Sequence, residues 1–317
     1  MNVTVLDSAS LGSDLDLTPL SRFGTLTVRE STPAELLPEV LRNSECVVLN
    51  KVKLTSETMK NAAGLKLVCI AATGFDNVDV DYCRTHGIAV CNVAGYSTDS
   101  VAQITLCTAL ALACRLREYT DYVRSGDYTR SGVPNRLSPV YHELSGMTWG
   151  VIGYGNIGRR VADIARAFGC RVLVCRKSRQ SGDGYADVYG ICRESDIISL
   201  HCPLNESTRG IIGREQLSVM KKTAVLINAA RGAVCDENAV AEAILSGSIG
   251  GFGCDVYSSE PLPEDHPYQT IINYPSVCLT PHMAWGSYEA RVRLVSMIAD
   301  NISSFLSGGK LGRVDLK

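Results

Sequence analysis

The chain has 317 residues, of which 45% are hydrophobic, and a formal net charge of −2. One hydrophobic core seldom serves a chain of this length, so we expect two domains. Acidic and basic residues are dispersed, which argues against an extended cationic face for nucleic acid and against a polybasic membrane patch.

The cysteines favour a reducing compartment. There are thirteen, and no two are closer than five positions, so the sequence lacks a Cys-x-x-Cys redox pair or zinc knuckle. We therefore expect reduced thiols, no metal site and a cytoplasmic protein. The chain begins directly with the apolar residues 3–6, without a charged and apolar leader, which predicts no secretion signal.

The first third of the chain alternates apolar runs with helical segments, which predicts an α/β fold with a parallel sheet. A helix over residues 34–42 is expected to begin with a capping box, in which Thr32 caps the helix and Glu35 reaches back to the cap. Strands are predicted at residues 3–6, 46–50, 67–71 and 88–92.

Two long helices are predicted, at about residues 99–124 and about residues 287–306. The most apolar stretch of the chain, residues 101–113, contains Gln103 and Thr105 and is too short for a bilayer. We expect no transmembrane span.

A buried strand at residues 147–152 runs into a Gly-x-Gly-x-x-Gly turn. Gly153 permits the tight turn, Gly155 lets the backbone approach a pyrophosphate, and Gly158 allows close packing of helix on strand. The phosphates would lie at the positive end of the helix dipole. The predicted cofactor contacts of this turn are Gly153, Tyr154, Gly155, Asn156, Ile157 and Gly158.

The segments after the turn favour a dinucleotide site over the alternative, a glycine-rich turn of an ordinary α/β protein. Residues 157–168 have helical apolar spacing, Gly169 can end that helix, and residues 170–175 form the next predicted strand. This strand–turn–helix–strand order is the context that the glycine motif requires.

The end of that second strand carries basic residues where an acidic residue usually binds the ribose 2′-hydroxyl of NAD(H). The first acidic residue afterwards is Asp183, and the segment itself reads Arg176, Lys177, Ser178, Arg179. Guanidinium, ammonium and hydroxyl groups suit a 2′-phosphate, which predicts NADP(H) over NAD(H). The alternative is a solvated basic loop, with the ribose held by backbone groups.

Three charged residues, Arg231, Glu260 and His282, follow strands predicted in the second half of the chain. Because the carboxyl ends of parallel strands face one crevice, we expect the three to meet. Arginine can bind a carboxylate and polarise a ketone, histidine can donate a proton, and glutamate can orient the imidazolium. Taken singly, Arg231 also suits a surface ion pair, Glu260 a helix start before proline, and His282 a polar core position. The strands are at residues 197–201, 224–228, 249–255 and 277–280.

Motifs along essentially the whole chain resemble those of the D-isomer-specific 2-hydroxyacid dehydrogenases. Residues 72–79 resemble the substrate-carboxylate loop, which implies contacts at Thr73 and Gly74, and residues 92–103 resemble an interdomain crossing. The resemblance assigns catalysis to Arg231, Glu260 and His282. It places the nicotinamide carboxamide at Asp255, and its further cofactor contacts are Thr105, His201, Cys202, Pro203, Thr208, Ala229, Ala230, His282 and Ala284.

The resemblance also implies the architecture. A Rossmann cofactor domain, residues 99–285, would be inserted into a flavodoxin-like substrate domain made of residues 1–98 and 286–317. Members commonly dimerise through the cofactor domain, and closure of the domains would exclude water before hydride transfer.

Within the family, the sequence around Lys51 and Trp285 looks most like glycerate dehydrogenases, also called hydroxypyruvate reductases. This implies substrate contacts by both residues and favours hydroxypyruvate or glyoxylate, although Trp285 equally suits packing at a hinge. One alternative is another 2-oxo acid reductase of the family. Another is a dinucleotide-sensing corepressor, which the lack of Pro/Ser-rich tails disfavours.

Overall fold

The computed structural model describes residues 1–176 and 184–316. It divides into two compact units, of which unit 1 comprises Met1–Ser97 with Gly286–Lys317 and unit 2 comprises Thr98–Trp285. Each unit contains one parallel sheet with helices. The predicted α/β class with two parallel sheets is confirmed.

The described residues form strands β1 (Asn2–Val5), β2 (Thr25–Val28), β3 (Cys46–Leu49), β4 (Leu67–Ile70), β5 (Ala89–Cys91), β6 (Thr148–Ile152), β7 (Arg171–Cys175), β8 (Ile197–Leu200), β9 (Val225–Asn228), β10 (Gly251–Cys254) and β11 (Val277–Leu279). They form helices α1 (Leu37–Arg42), α2 (Ser56–Met59), α3 (Val80–Thr85), α4 (Thr98–Ala113), α5 (Leu116–Arg124), α6 (Asp127–Ser131), α7 (Asn156–Ala167), α8 (Val188–Glu194), α9 (Arg214–Ser218), α10 (Glu237–Leu245) and α11 (Tyr288–Leu306).

The sheet of unit 1 has the parallel order β2-β1-β3-β4-β5, which is the flavodoxin-like order. The sequence pattern does not predict β2, because it is an edge strand whose side chains are mostly exposed. The prediction of a capping box at Thr32 is wrong. The Thr32 hydroxyl instead donates to the Leu6 carbonyl (2.7 Å), and a 3₁₀ turn at Ala34–Leu36 precedes α1.

The sheet of unit 2 has the parallel order β11-β10-β9-β8-β6-β7. Strand β6 therefore lies between β7 and β8, and the strand order reverses at this point. Open α/β sheets bind ligands at the carboxyl ends of the strands beside such a reversal. Buried apolar side chains hold the strands in place, among them Trp149, whose indole N–H donates to the Ser199 hydroxyl (2.9 Å).

The predicted helix over residues 99–124 is wrong as one element, because α4 and α5 are separate and bent by 65°. Arg115 between them has φ 54°, a left-handed conformation that ends a helix and that apolar spacing does not encode. In the described part of the chain, no single helix is long and apolar enough to cross a membrane; α4 and α5 meet that criterion only as a joined pair.

Candidate active site

The Gly-x-Gly-x-x-Gly turn lies between β6 and α7. Gly153 has φ 96°, and a Cβ there would collide with the Cys202 backbone nitrogen. A Cβ at Gly158 would collide with the Gly153 carbonyl oxygen. In contrast, a Cβ at Gly155 would have no described atom within 4 Å. The protein itself requires glycine at the first and third positions, whereas the second faces open space, as close approach of a ligand requires.

The start of α7 suits an anion. Gly155 is the N-cap of this 12-residue helix and has no side chain to bond the first-turn N–H groups. These groups and the positive end of the helix dipole form a phosphate-binding arrangement.

His201 lies directly after β8, beside the glycine turn. Both of its ring nitrogens are buried, and neither has a hydrogen-bond partner within the described ranges. Burial lowers the pKa of His201 to about 3, so the ring is neutral. Buried polar atoms are nearly always hydrogen-bonded, so two unpartnered nitrogens beside an open glycine turn fit a polar ligand such as a dinucleotide.

Two other predicted cofactor residues are engaged in local structure. The Thr208 hydroxyl donates to the Pro203 carbonyl (2.6 Å) and shapes the loop after β8. Thr105 is fully buried in α4, where its hydroxyl donates to the Val101 carbonyl (2.8 Å). In this structure the Thr105 side chain is therefore not accessible to a cofactor. Burial raises the pKa of the Cys202 thiol to about 11, which keeps it protonated.

The predicted phosphate-binding segment is only partly described. Arg176 is half-buried at the end of β7, and Lys177, Ser178 and Arg179 lie outside the described residues. Trp285, predicted to contact substrate, is the half-buried last residue of unit 2.

Arg231 lies in the loop after β9. The fully buried Asn228 side chain accepts the Ala230 N–H (3.1 Å) and donates to the Arg231 carbonyl (2.9 Å). These two bonds fix the backbone on which Arg231 stands. The predicted neighbours Ala229 and Ala230 belong to the same short turn.

Glu260 and His282 contact each other directly. One Glu260 carboxylate oxygen bonds His282 Nδ1 at 2.7 Å, and the other accepts the Tyr257 N–H at 3.0 Å. The two side chains are 30% and 25% exposed, respectively, so a small molecule can reach them. With the Glu260 carboxylate on one side of the ring, the imidazole has a fixed orientation.

Asp255 holds the loop that carries His282. His282 has φ 52°, a left-handed conformation that costs free energy in a non-glycine residue. The buried Asp255 carboxylate accepts the N–H groups of Met283 and Ala284, both at 2.9 Å, and the Thr280 hydroxyl at 2.6 Å. The sequence suggests Asp255 only as a nicotinamide contact; its anchoring of this loop requires the structure.

The loops after β9, β10 and β11 meet, as the sequence predicts for parallel strands. A Cβ at Gly232, next to Arg231, would collide with the backbone of Tyr257 and Ser258. The Tyr257 hydroxyl donates to the Thr280 carbonyl at 2.8 Å. Arg231, Glu260 and His282 therefore stand on three loops, of which the second contacts both the first and the third. Among the described residues, no group of three or more His, Cys, Asp or Glu side chains has the arrangement of a metal site.

Unit 1 brings its predicted substrate residues onto neighbouring loops. Lys51 follows β3, whereas Thr73 and Gly74 follow the adjacent β4. The Asn77 side chain donates to the carbonyls on both sides of Lys51 (3.1 and 2.9 Å), which ties the two loops together. The Asn92 side chain donates to the Thr73 carbonyl at 2.7 Å.

Asp7, which the sequence analysis misses, holds the Lys51 loop from the other side. Its carboxylate accepts the N–H groups of Asn50 (2.9 Å), Lys51 (2.6 Å) and Val52 (3.2 Å). Burial raises the pKa of Asp7, and this effect outweighs that of the backbone donors, which lower the pKa. Since Asp7 and the loop are more than forty residues apart, no local pattern reveals this contact.

Residues 106–284 match the sequence model of a protein family, the D-isomer specific 2-hydroxyacid dehydrogenase NAD-binding domain. The glycerate dehydrogenase of Methylorubrum extorquens is 38% identical over 87% of this chain and 87% of its own length. The glyoxylate reductase of Aeropyrum pernix is 37% identical over 87% of this chain and 84% of its own. An acyclic imino acid reductase, solved with NADPH and D-Arg, has a TM-score of 0.86 and 30% identity, covering 99% of this chain and 100% of that one.

The glycine turn yields a matched pair of variants. Gly158→Ala is expected to lower the free energy of unfolding by about 1–3 kcal/mol, since its methyl group collides inside the turn. Gly155→Ala should lower it by only about 1 kcal/mol or less, since alanine is the poorer N-cap, but weaken NADPH and NADH binding at least about 10-fold by blocking close approach. Urea denaturation and calorimetric titration measure both quantities. Unchanged binding in Gly155→Ala would contradict a dinucleotide on this turn.

Proposed function

Because the chain belongs to the D-isomer-specific 2-hydroxyacid dehydrogenase family, we propose that it transfers hydride between NADP(H) and a small 2-oxo acid, with hydroxypyruvate or glyoxylate favoured. It is an oxidoreductase that acts on CH–OH groups with a nicotinamide dinucleotide. Oxidation of glycerate at C2 gives hydroxypyruvate, so the similarity to a glycerate dehydrogenase and to a glyoxylate reductase supports these substrates. The observation that carries the proposal is the Glu260–His282 hydrogen bond beside the Arg231 loop.

The three side chains divide the chemistry of reduction. The bound nicotinamide supplies the hydride that C2 of the oxo acid receives. His282 gives a proton to the carbonyl oxygen, which becomes the hydroxyl of the D-2-hydroxy acid. Because Nδ1 bonds Glu260, the proton comes from Nε2, and the Glu260 carboxylate holds the ring in its orientation for the transfer. Arg231 binds the substrate carboxylate and polarises the ketone.

We assign substrate binding to residues 1–98 and 286–317, and cofactor binding to residues 99–285. In the first domain, N–H groups at Thr73 and Gly74 would bind the carboxylate, with Lys51 nearby. Trp285 would line the substrate pocket. Asp7 and Asn77 are hydrogen-bonded to the backbone of the Lys51 loop, which supports this assignment because binding loops need a fixed backbone.

The preference for NADP(H) rests on Arg176 to Arg179 and on the absence of an acidic residue there. A structural neighbour solved with NADPH supports a nicotinamide dinucleotide as the cofactor. We also propose a cytoplasmic location, which thirteen free cysteines support.

A panel of 2-oxo acids with NADPH, followed at the nicotinamide absorbance, tests the reaction. We expect turnover of hydroxypyruvate or glyoxylate, and a loss of at least about 100-fold in kcat in His282→Ala, because the general acid is gone. His86→Ala, an exposed histidine stacked on Tyr82 in unit 1, is the matched control and should keep full activity.

Two outcomes of this panel would contradict the proposal. Absence of turnover with every acid would favour a binding protein. Turnover that requires an added amine would indicate imine reduction, the activity named for the structural neighbour.

Cofactor choice is tested by replacing Arg176 and Arg179 with Gln. We expect the Kd for NADPH to rise at least about 10-fold through the lost phosphate contacts, with the Kd for NADH nearly unchanged. Arg193→Gln with Arg214→Gln removes the same charge from exposed ion pairs and is the control. Equal weakening of both cofactors in the Arg176 and Arg179 variant would refute a phosphate clamp.

A homodimer through the cofactor domain is supported by exposed apolar side chains in residues 116–141. Leu137 and Val140 are 76% and 68% exposed. Light scattering is expected to give about twice the chain mass, and Leu137→Glu with Val140→Glu should yield monomers by placing charge in the interface. A monomeric wild type would contradict this interface.

A further inference from the structure

A second carboxylate–imidazole pair, Glu237 and His266, lies behind the Glu260 loop. Glu237 is the first residue of α10, and His266 directly precedes a 3₁₀ turn at Pro267–Thr270. Their side chains are 10% and 3% exposed, and Glu237 bonds His266 Nε2 at 3.0 Å. Within the described ranges, neither residue is hydrogen-bonded to Arg231, Glu260 or His282, so the pair has no role in the proposed chemistry.

The hydrogen bonds of His266 fix its tautomer. Its Nδ1 accepts the Tyr268 N–H at 3.1 Å, so the ring proton is on Nε2 and is donated to Glu237. The rings of Tyr257 and Tyr268 contact the imidazole edge-on, with centroids 6.1 and 4.8 Å away. His266 therefore holds one Glu237 oxygen in place.

The other bonds of Glu237 go to the loop that carries Glu260. One oxygen accepts the Ser258 N–H at 2.9 Å, and the other accepts the Ser258 hydroxyl. The same stretch of backbone contacts Gly232, where a Cβ would collide with it. Glu237 thus fixes the Tyr257–Ser258 backbone next to the Arg231 loop.

That backbone determines where Glu260 lies. The Tyr257 N–H donates to one Glu260 oxygen (3.0 Å), and the other oxygen bonds His282 Nδ1 (2.7 Å). Hydrogen bonds and one short backbone segment therefore connect His266 to His282 through two carboxylates. All of these residues belong to unit 2.

From this chain of contacts we propose that Glu237 and His266 are positioning residues, which set the orientation of Glu260 and through it the imidazole of His282. The inference rests on the proposed function, in which His282 donates the proton. It predicts an effect on kcat rather than on binding, because the pair touches neither substrate nor cofactor.

Glu237→Gln is the test variant, because glutamine keeps the shape of the side chain but replaces one acceptor oxygen by an NH₂ group. The three donors at this position are the Ser258 N–H, the Ser258 hydroxyl and His266 Nε2. We expect kcat to fall about 10-fold or more through misplacement of the proton donor, with the KM for the oxo acid and the Kd for NADPH within about 2-fold. Glu242→Gln, an exposed residue of the same helix paired with Arg214, is the control and should retain full kcat.

A double-mutant cycle separates positioning from general stability. If Glu237 acts through Glu260, Glu237→Gln should cost little further kcat in a Glu260→Gln background, whereas a merely structural role gives multiplied losses. His266→Phe, which removes the donor from a different element, repeats the test if Glu237→Gln does not fold. Unchanged kcat in both single variants would overturn the inference.

Histidine-selective ¹⁵N labelling gives a readout that does not depend on turnover. The chain has five histidines, and loss of a signal in His282→Ala assigns His282. Glu237→Gln should shift this signal and Glu242→Gln should not; an unshifted signal would overturn the inference. Inactivity of the wild type with every acid would overturn the proposed function alone.

Discussion

The hydrogen bond between Glu260 and His282 Nδ1 is the interaction on which the site depends. The backbone of His282 is left-handed, and this bond gives its imidazole ring a single orientation, with a negative charge beside the ring. Asp255 fixes the backbone next to this ring, because its carboxylate accepts the N–H groups of the two residues that follow His282. Without these contacts, the imidazole of a partly exposed loop residue would be free to rotate away from a substrate oxygen.

The parallel sheet makes this arrangement possible. Strands β9, β10 and β11 are neighbours that run in one direction, so their following loops leave the same edge. Gly232 lets two of these loops touch, and the Tyr257 hydroxyl links the second to the third. Arg231, Glu260 and His282, which are up to about fifty positions apart in the sequence, thereby stand on loops at one edge of the sheet.

Features with a local sequence signal are those the sequence predicts. The glycine turn has a characteristic spacing of glycines, and the buried strands are short apolar runs. Arg231, Glu260 and His282 follow predicted strands. The expected contact of Glu260 with His282 is present, whereas the catalytic roles stay predictions. Edge strand β2 is missed because its side chains are mostly exposed, and the break at Arg115 because apolar spacing continues through it.

Long-range polar contacts have no such signal. Asp7 bonds residues more than forty positions away, and Glu237 bonds Ser258 and His266 at separations of 21 and 29. A buried carboxylate that holds a loop looks in the sequence like any acidic residue after a strand or at a helix start. Only the fold brings such a residue to the backbone groups it binds.

The role of the Glu260–His282 pair is measured most directly by a crystal structure with NADPH and oxamate, the unreactive amide analogue of a 2-oxo acid. We expect His282 Nε2 at about 2.7–3.2 Å from the amide oxygen of oxamate, with Nδ1 still bonded to Glu260 and Arg231 bonded to the carboxylate. An oxamate oxygen bound away from Nε2, or a ring released from Glu260, would contradict it.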